Sequence, residues 1–77
     1  MAYRDNQSQG CTLIKQARLT TLSEGMLYRI YADKEGLIYA ETCSSWCQIA
    51  DSLEEFNRMP LRKLESMVYG FEMSVAR

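Results

Sequence analysis

The stretch "MLYRIYADKEGLIYAETC", residues 26–43, constrains the fold of this chain more than any other. Two runs rich in β-branched and aromatic residues flank Asp33-Lys34-Glu35-Gly36, which suits a type I turn closed by a left-handed glycine. With Lys34, Glu35 and Gly36 in the loop, Asp33 pairs with Leu37 and every later pair follows by counting outward. One face then carries Tyr28 opposite Thr42, Ile30 opposite Ala40 and Ala32 opposite Ile38, a set suited to burial. The other carries Tyr31 beside Tyr39 and Arg29 beside Glu41, aromatic and opposite-charge partners that each contribute about 0.2–1 kcal/mol. A slip of one residue would break both pairs and exchange the faces, so the register is strongly specified.

Around this hairpin the chain reads as α+β: a small antiparallel β-meander of two to three strands, with its hairpin turn at 33–36, packed against one or two C-terminal helices. Residues 1–10 are polar, with Tyr3 the one large apolar side chain, and predict a flexible arm ahead of a single domain at 11–77. Cys11 to Leu22 reads as a first strand. A tight turn at Ser23-Glu24-Gly25 would join it to the hairpin, at the cost of turning Arg18 and Thr20 toward the core and Ala17 and Leu19 outward. A bulge, or burial of both sheet faces, would relieve that conflict.

Ser45 followed three residues later by Gln48 matches a capping box, so a helix is expected from about Trp46. Trp46, Ile49, Ala50, Leu53 and Phe56 then form an apolar stripe facing the hairpin, with Gln48, Asp51, Glu54 and Glu55 opposite. Pro60 ends this helix and suits the first turn of a second, where Leu61, Leu64, Val68, Phe71 and Val75 recur at helical spacing. An edge strand competes there, because Met67, Tyr69, Phe71, Met73 and Val75 also alternate and Gly70 weakens a helix by about 1 kcal/mol.

Seventy-seven residues give one small domain that buries only about 60% of its unfolded surface, so a partner or a homodimer is expected to complete the burial. The net charge of −1 removes the main electrostatic support for nonspecific nucleic-acid or anionic-membrane binding. No apolar run reaches the ~20 residues of a bilayer span and the N-terminal residues lack a signal-peptide core, which predicts a cytoplasmic protein without membrane contact. There is no His, so Ser-His and Cys-His catalysis cannot be built. Cys11, Cys43 and Cys47 are too few for a four-ligand zinc site and odd in number for a disulfide framework, and they read as packed thiols. The functional alternative for Cys47 is a reactive thiol whose pKa is lowered at a helix N-terminus. No glycine-rich phosphate loop is present, and the acidic face of Asp51, Glu54 and Glu55 reads as a solvated surface.

These exclusions leave a non-enzymatic protein-interaction module without catalytic residues, cofactor or metal. Its expected partner-binding residues are Leu27, Arg29, Tyr31, Leu37, Tyr39 and Glu41 on the outward hairpin face, since Tyr and Arg are enriched where protein partners bind. Met67, Tyr69 and Met73 form a second, C-terminal candidate. In size and character alone, the chain is similar to the small inhibitors of host machinery carried by phages and mobile elements, anti-CRISPR proteins among them. The alternative is a nucleic-acid-binding domain using a three-stranded sheet face, which in outline resembles the DNA-reading domains of some integrases. Lys15, Arg18, Arg29 and Lys34 would then contact phosphates, against the repulsion of Asp33, Glu35 and Glu41.

Overall fold

A computed structural model describes residues 8–19, 25–43 and 45–75, with side chains described through Phe71. The elements are β1 (Thr12–Leu19), β2 (Met26–Ala32), β3 (Ile38–Glu41), β4 (Trp46–Ala50), α1 (Leu53–Arg58) and α2 (Leu61–Val75). The four strands form an antiparallel meander in the order β1-β2-β3-β4. The α+β class is as expected, with one strand more than the sequence predicts.

The central hairpin follows the expected register: Arg29 pairs with Glu41, Ile30 with Ala40, Tyr31 with Tyr39 and Ala32 with Ile38. Its turn is held from both ends. The Asp33 N–H donates to the Leu37 carbonyl (3.0 Å), and the Gly36 N–H donates to the Asp33 carbonyl (3.1 Å). Asp33 Oδ1 accepts from the N–H groups of Glu35 and Leu37, each at 2.9 Å. Gly36 has φ 90°, in the left-handed region that a glycine occupies without strain.

β1 resolves its conflict by a shift in register. Leu19 lies opposite Met26, Arg18 opposite Leu27 and Ala17 opposite Tyr28. The tight turn would have put Thr20 opposite Tyr28, so the observed pairing is offset by three residues, an odd number that exchanges the two faces. Ala17 and Leu19 therefore turn inward and Arg18 outward. Positions 20–24, including most of the expected turn, lie outside the described residues, as do residues 1–7 of the expected arm. A bulge is present, but it falls between Leu13 and Lys15.

The helix expected from Trp46 is a strand. Pairing of Trp46–Ala50 with β3 satisfies backbone groups of both strands at once, whereas a helix starting at Trp46 would leave the β3 edge open. In β4, Trp46 lies opposite Glu41, Cys47 opposite Ala40 and Gln48 opposite Tyr39, and a bulge then lets Ile49 and Ala50 both turn inward. That bulge places apolar residues three and four positions after Trp46, which imitates a helical stripe. Ser45 closes the β3–β4 turn instead of capping a helix. Its N–H donates to Thr42 Oγ1 (3.1 Å), its carbonyl accepts from the Thr42 N–H (3.0 Å), and the two hydroxyls lie 2.7 Å apart. The cap of α1 is Ser52, whose Oγ accepts from the Glu55 N–H at 3.1 Å, while Glu55 Oε1 accepts from the Asp51 N–H at 2.9 Å. Pro60 separates the helices as expected, its carbonyl accepting the Leu64 N–H at 3.1 Å. Leu64 and Val68, one turn apart, are buried, and this inward stripe settles α2 as a helix.

The core lies between the helices and one face of the sheet. Leu19, Tyr28, Ile30, Ile38, Ala40, Ile49 and Ala50 meet Leu64 and Val68, with Phe56, Met59, Met67 and Phe71 packed at the margin. Tyr28 is 1% exposed, and among the described residues its hydroxyl has no hydrogen-bond partner. A buried, unpartnered hydroxyl opposes folding, whereas the ring supports it. Tyr28→Phe should leave stability unchanged or raise it by up to about 1 kcal/mol, while Tyr28→Ala should lose about 3–5 kcal/mol, both read from urea denaturation midpoints.

Candidate docking face of the sheet

The pairings sort the outer face into rows that cross the strands. Leu13, Tyr31, Tyr39 and Gln48 form one row, Gln16, Arg29, Glu41 and Trp46 the next, and Arg18 and Leu27 a third. Five of the six expected partner-binding residues, Leu27, Arg29, Tyr31, Tyr39 and Glu41, are thereby gathered on this face. The sixth, Leu37, pairs with Asp33 at the turn and shares the face by alternation with Tyr39. Five of the six are half-buried and Glu41 is buried. Sequence reasoning missed Leu13, Gln16, Gln48 and above all Trp46.

Trp46 was expected on the core-facing stripe, and its place on the outer face changes the site. Its ring stacks on Tyr39 with centroids 5.2 Å apart and 19° between planes, and lies 5.5 Å from Tyr31 at 34°. The two tyrosines, paired through the backbone, thus share one indole. The alternation of Trp46, Cys47 and Gln48 against inward Ile49 and Ala50 was the available signal, obscured by the bulge.

The polar row is equally ordered. Arg29 Nε donates to Gln16 Oε1 at 2.9 Å, and Arg29 Nη1 lies 3.5 Å from Glu41 Oε1. The Glu41 side chain is only 7% exposed, against 38% for Arg29. Burial first, and then the nearby carboxylate, hold both phenols above the usual tyrosine pKa: Glu41 acts on Tyr31 and Asp33 on Tyr39.

The remaining candidates are dispersed. Met67 packs against the core and Tyr69 is exposed on α2, while the Met73 side chain lies outside the described residues. Glu54 pairs with Arg58 at 2.7 Å and Glu55 braces the start of α1, so both carboxylates act within the helix. Cys43 is exposed in the β3–β4 turn, whereas Cys11 and Cys47 are half-buried. Cys47 lies in a strand, and burial raises its thiol pKa. The expected alternative, a thiol activated at a helix N-terminus, therefore has neither its helix nor its direction of shift. The Cys11 thiol is also raised, by burial and then by Asp33. Among the described residues no three metal-ligating side chains converge, and no helix is long and apolar enough to cross a membrane. No protein-family model matches the chain, and no curated protein or solved structure matches it significantly.

Two measurements test this geometry. Removing the cation should cost more than neutralising the acid, because Glu41 is the more buried partner. Arg29→Met, which keeps the apolar stem, should lose about 2–3 kcal/mol and Glu41→Gln about 1 kcal/mol, read by denaturant unfolding. The raised tyrosine pKa values also give stability a direction with pH. The folded chain holds the phenolic protons more tightly than the unfolded chain, so stability is intact below about pH 10 and falls as pH rises through the folded values. Absorbance at 295 nm should show native tyrosines ionising at higher pH than in urea, and Tyr31→Phe with Tyr39→Phe should flatten the alkaline loss of stability.

Proposed function

We propose that this protein is a non-enzymatic interaction module that docks a larger protein through the outer sheet face. The observation that carries the reading is Trp46 laid against Tyr31 and Tyr39 on the face opposite the helices. Trp, Tyr and Arg dominate binding energy at protein interfaces because they join a large rigid apolar area to directional polar atoms. Here the rings hold one another in place and Arg29 is held by Gln16 and Glu41, so little side-chain freedom remains to be lost on binding. A small module of this kind acts by occupying a surface that its partner needs, the mode expected of a phage or mobile-element inhibitor.

Catalysis has less support. A hollow of about 270 Å³ beside the turn contains Cys11, but burial and Asp33 oppose formation of its thiolate. A second hollow, of about 380 Å³, is lined by Arg62, Glu65, Ser66 and Tyr69 of α2 and offers no convergent nucleophile and base. The nucleic-acid alternative is weakened because Arg29 is engaged by Glu41, and because Tyr31 and Tyr39 stack on Trp46 in place of bases.

The test is affinity capture from the source cell followed by binding of the purified partner. Trp46→Ala or Tyr39→Ala should weaken binding at least about thirtyfold, the effect of a 2 kcal/mol hot spot, while Arg62→Ala and Tyr69→Ala on α2 bind as the parent does. Circular dichroism establishes that each variant is folded. Unchanged binding by both aromatic variants, or loss confined to the α2 variants, would overturn the reading.

A further inference from the structure

The outer face ends at β1, an edge strand with no strand partner on its far side among the described residues. An edge presents a row of unpaired backbone donors and acceptors, and its side chains decide what is allowed to pair with it. β1 is the longest strand, and past its bulge Lys15–Leu19 runs regularly for five residues. The other edge, β4, has a bulge after three and leads directly into the Asp51-Ser52 cap of α1.

β1 contains two cations, Lys15 and Arg18, and no acidic residue. Among the described residues neither has a carboxylate within ion-pair distance, the two ion pairs there being Arg29–Glu41 and Glu54–Arg58. Arg18 is exposed and Lys15 half-buried. Their register places them on opposite faces, Lys15 opposite inward Ile30 and Arg18 opposite outward Leu27. Leu13, 48% exposed, adds an apolar contact on the outer side. A second copy pairing through this edge would set two strands side by side that each hold two cations and no acidic residue to offset them, which disfavours β1–β1 dimers.

We infer that β1 takes up an extended acidic segment of a protein partner as a fifth strand. This rests on the interaction-module reading and adds the chemistry of one contact to it. The spacing of the cations sets the pattern recognised: two acidic residues three positions apart, one on each face of the added strand, which lies ~4.8 Å from β1. Backbone hydrogen bonds hold the segment, and the two ion pairs select its charge and register. The charges that exclude a second copy are thus the ones that admit the acidic strand.

The probe is a synthetic ten-residue peptide of alternating Thr and Val with two Glu three positions apart, titrated into the 15N-labelled chain. Expected are saturable amide shifts concentrated in Thr12–Leu19, absent with a peptide in which Lys replaces both Glu and with one interrupted by Pro. The double variant Lys15→Glu, Arg18→Glu should bind the acidic peptide at least about tenfold more weakly and gain the Lys peptide. Trp46→Ala should retain the response, so loss of the aromatic face and loss of the edge are read separately. Shifts centred on the aromatic face, equal binding of the Lys peptide, no saturable binding, displacement of the peptide by a single-stranded oligonucleotide, or self-association through β1 would each overturn the inference.

Discussion

Asp33 is the residue on which the rest of the structure depends. Its backbone pairs with Leu37 and Gly36 while its carboxylate takes two further N–H groups, so a single side chain fixes both the length of the loop and the first rung of the ladder. The rung determines parity. Once Asp33 faces Leu37, Tyr28, Ile30, Ile38 and Ala40 share one side of the sheet, and Arg29, Tyr31, Tyr39 and Glu41 share the other. β1 and β4 then pair with a hairpin whose two faces are already chemically distinct.

The two faces are stabilised by different physics. The buried core of the inner face is aliphatic apart from Tyr28 and is closed by Leu64 and Val68 of α2, so its stability comes from apolar area removed from water. The outer face is packed laterally by neighbouring strands: an indole against two phenols, and a guanidinium between an amide and a buried carboxylate. Such lateral packing orders side chains in the free chain, the property that the proposed docking surface requires. The same face continues to the cationic margin at Arg18, so aromatic and electrostatic recognition would act side by side.

Much of the fold was legible because its signals were local. The hairpin register, the helix break at Pro60 and the placing of the six hairpin residues on one face followed from turn chemistry and alternation. Ser52 was legible as well, since Ser52-Leu53-Glu54-Glu55 is a capping box, but Ser45-Trp46-Cys47-Gln48 matched the same pattern seven residues earlier. The two are separated by what surrounds them. At Ser45 the backbone lies within reach of Thr42 and the open edge of β3, whereas Ser52 follows the last paired residue of β4.

The sequence by itself determined the hairpin, its register and the division of its side chains into an aliphatic and an aromatic-polar set. These depend on residues within a few positions of one turn, where loop closure costs little and a glycine and an aspartate define the geometry. Only the tertiary structure decided that residues 46–50 are a strand, that β1 shifts by three, and that Trp46 joins Tyr31 and Tyr39. Each depends on an open sheet edge competing with a local helix or turn preference. The edge prevails because a ladder satisfies backbone groups on two strands at once and buries Ile49, Ala50 and Leu19 as it does so.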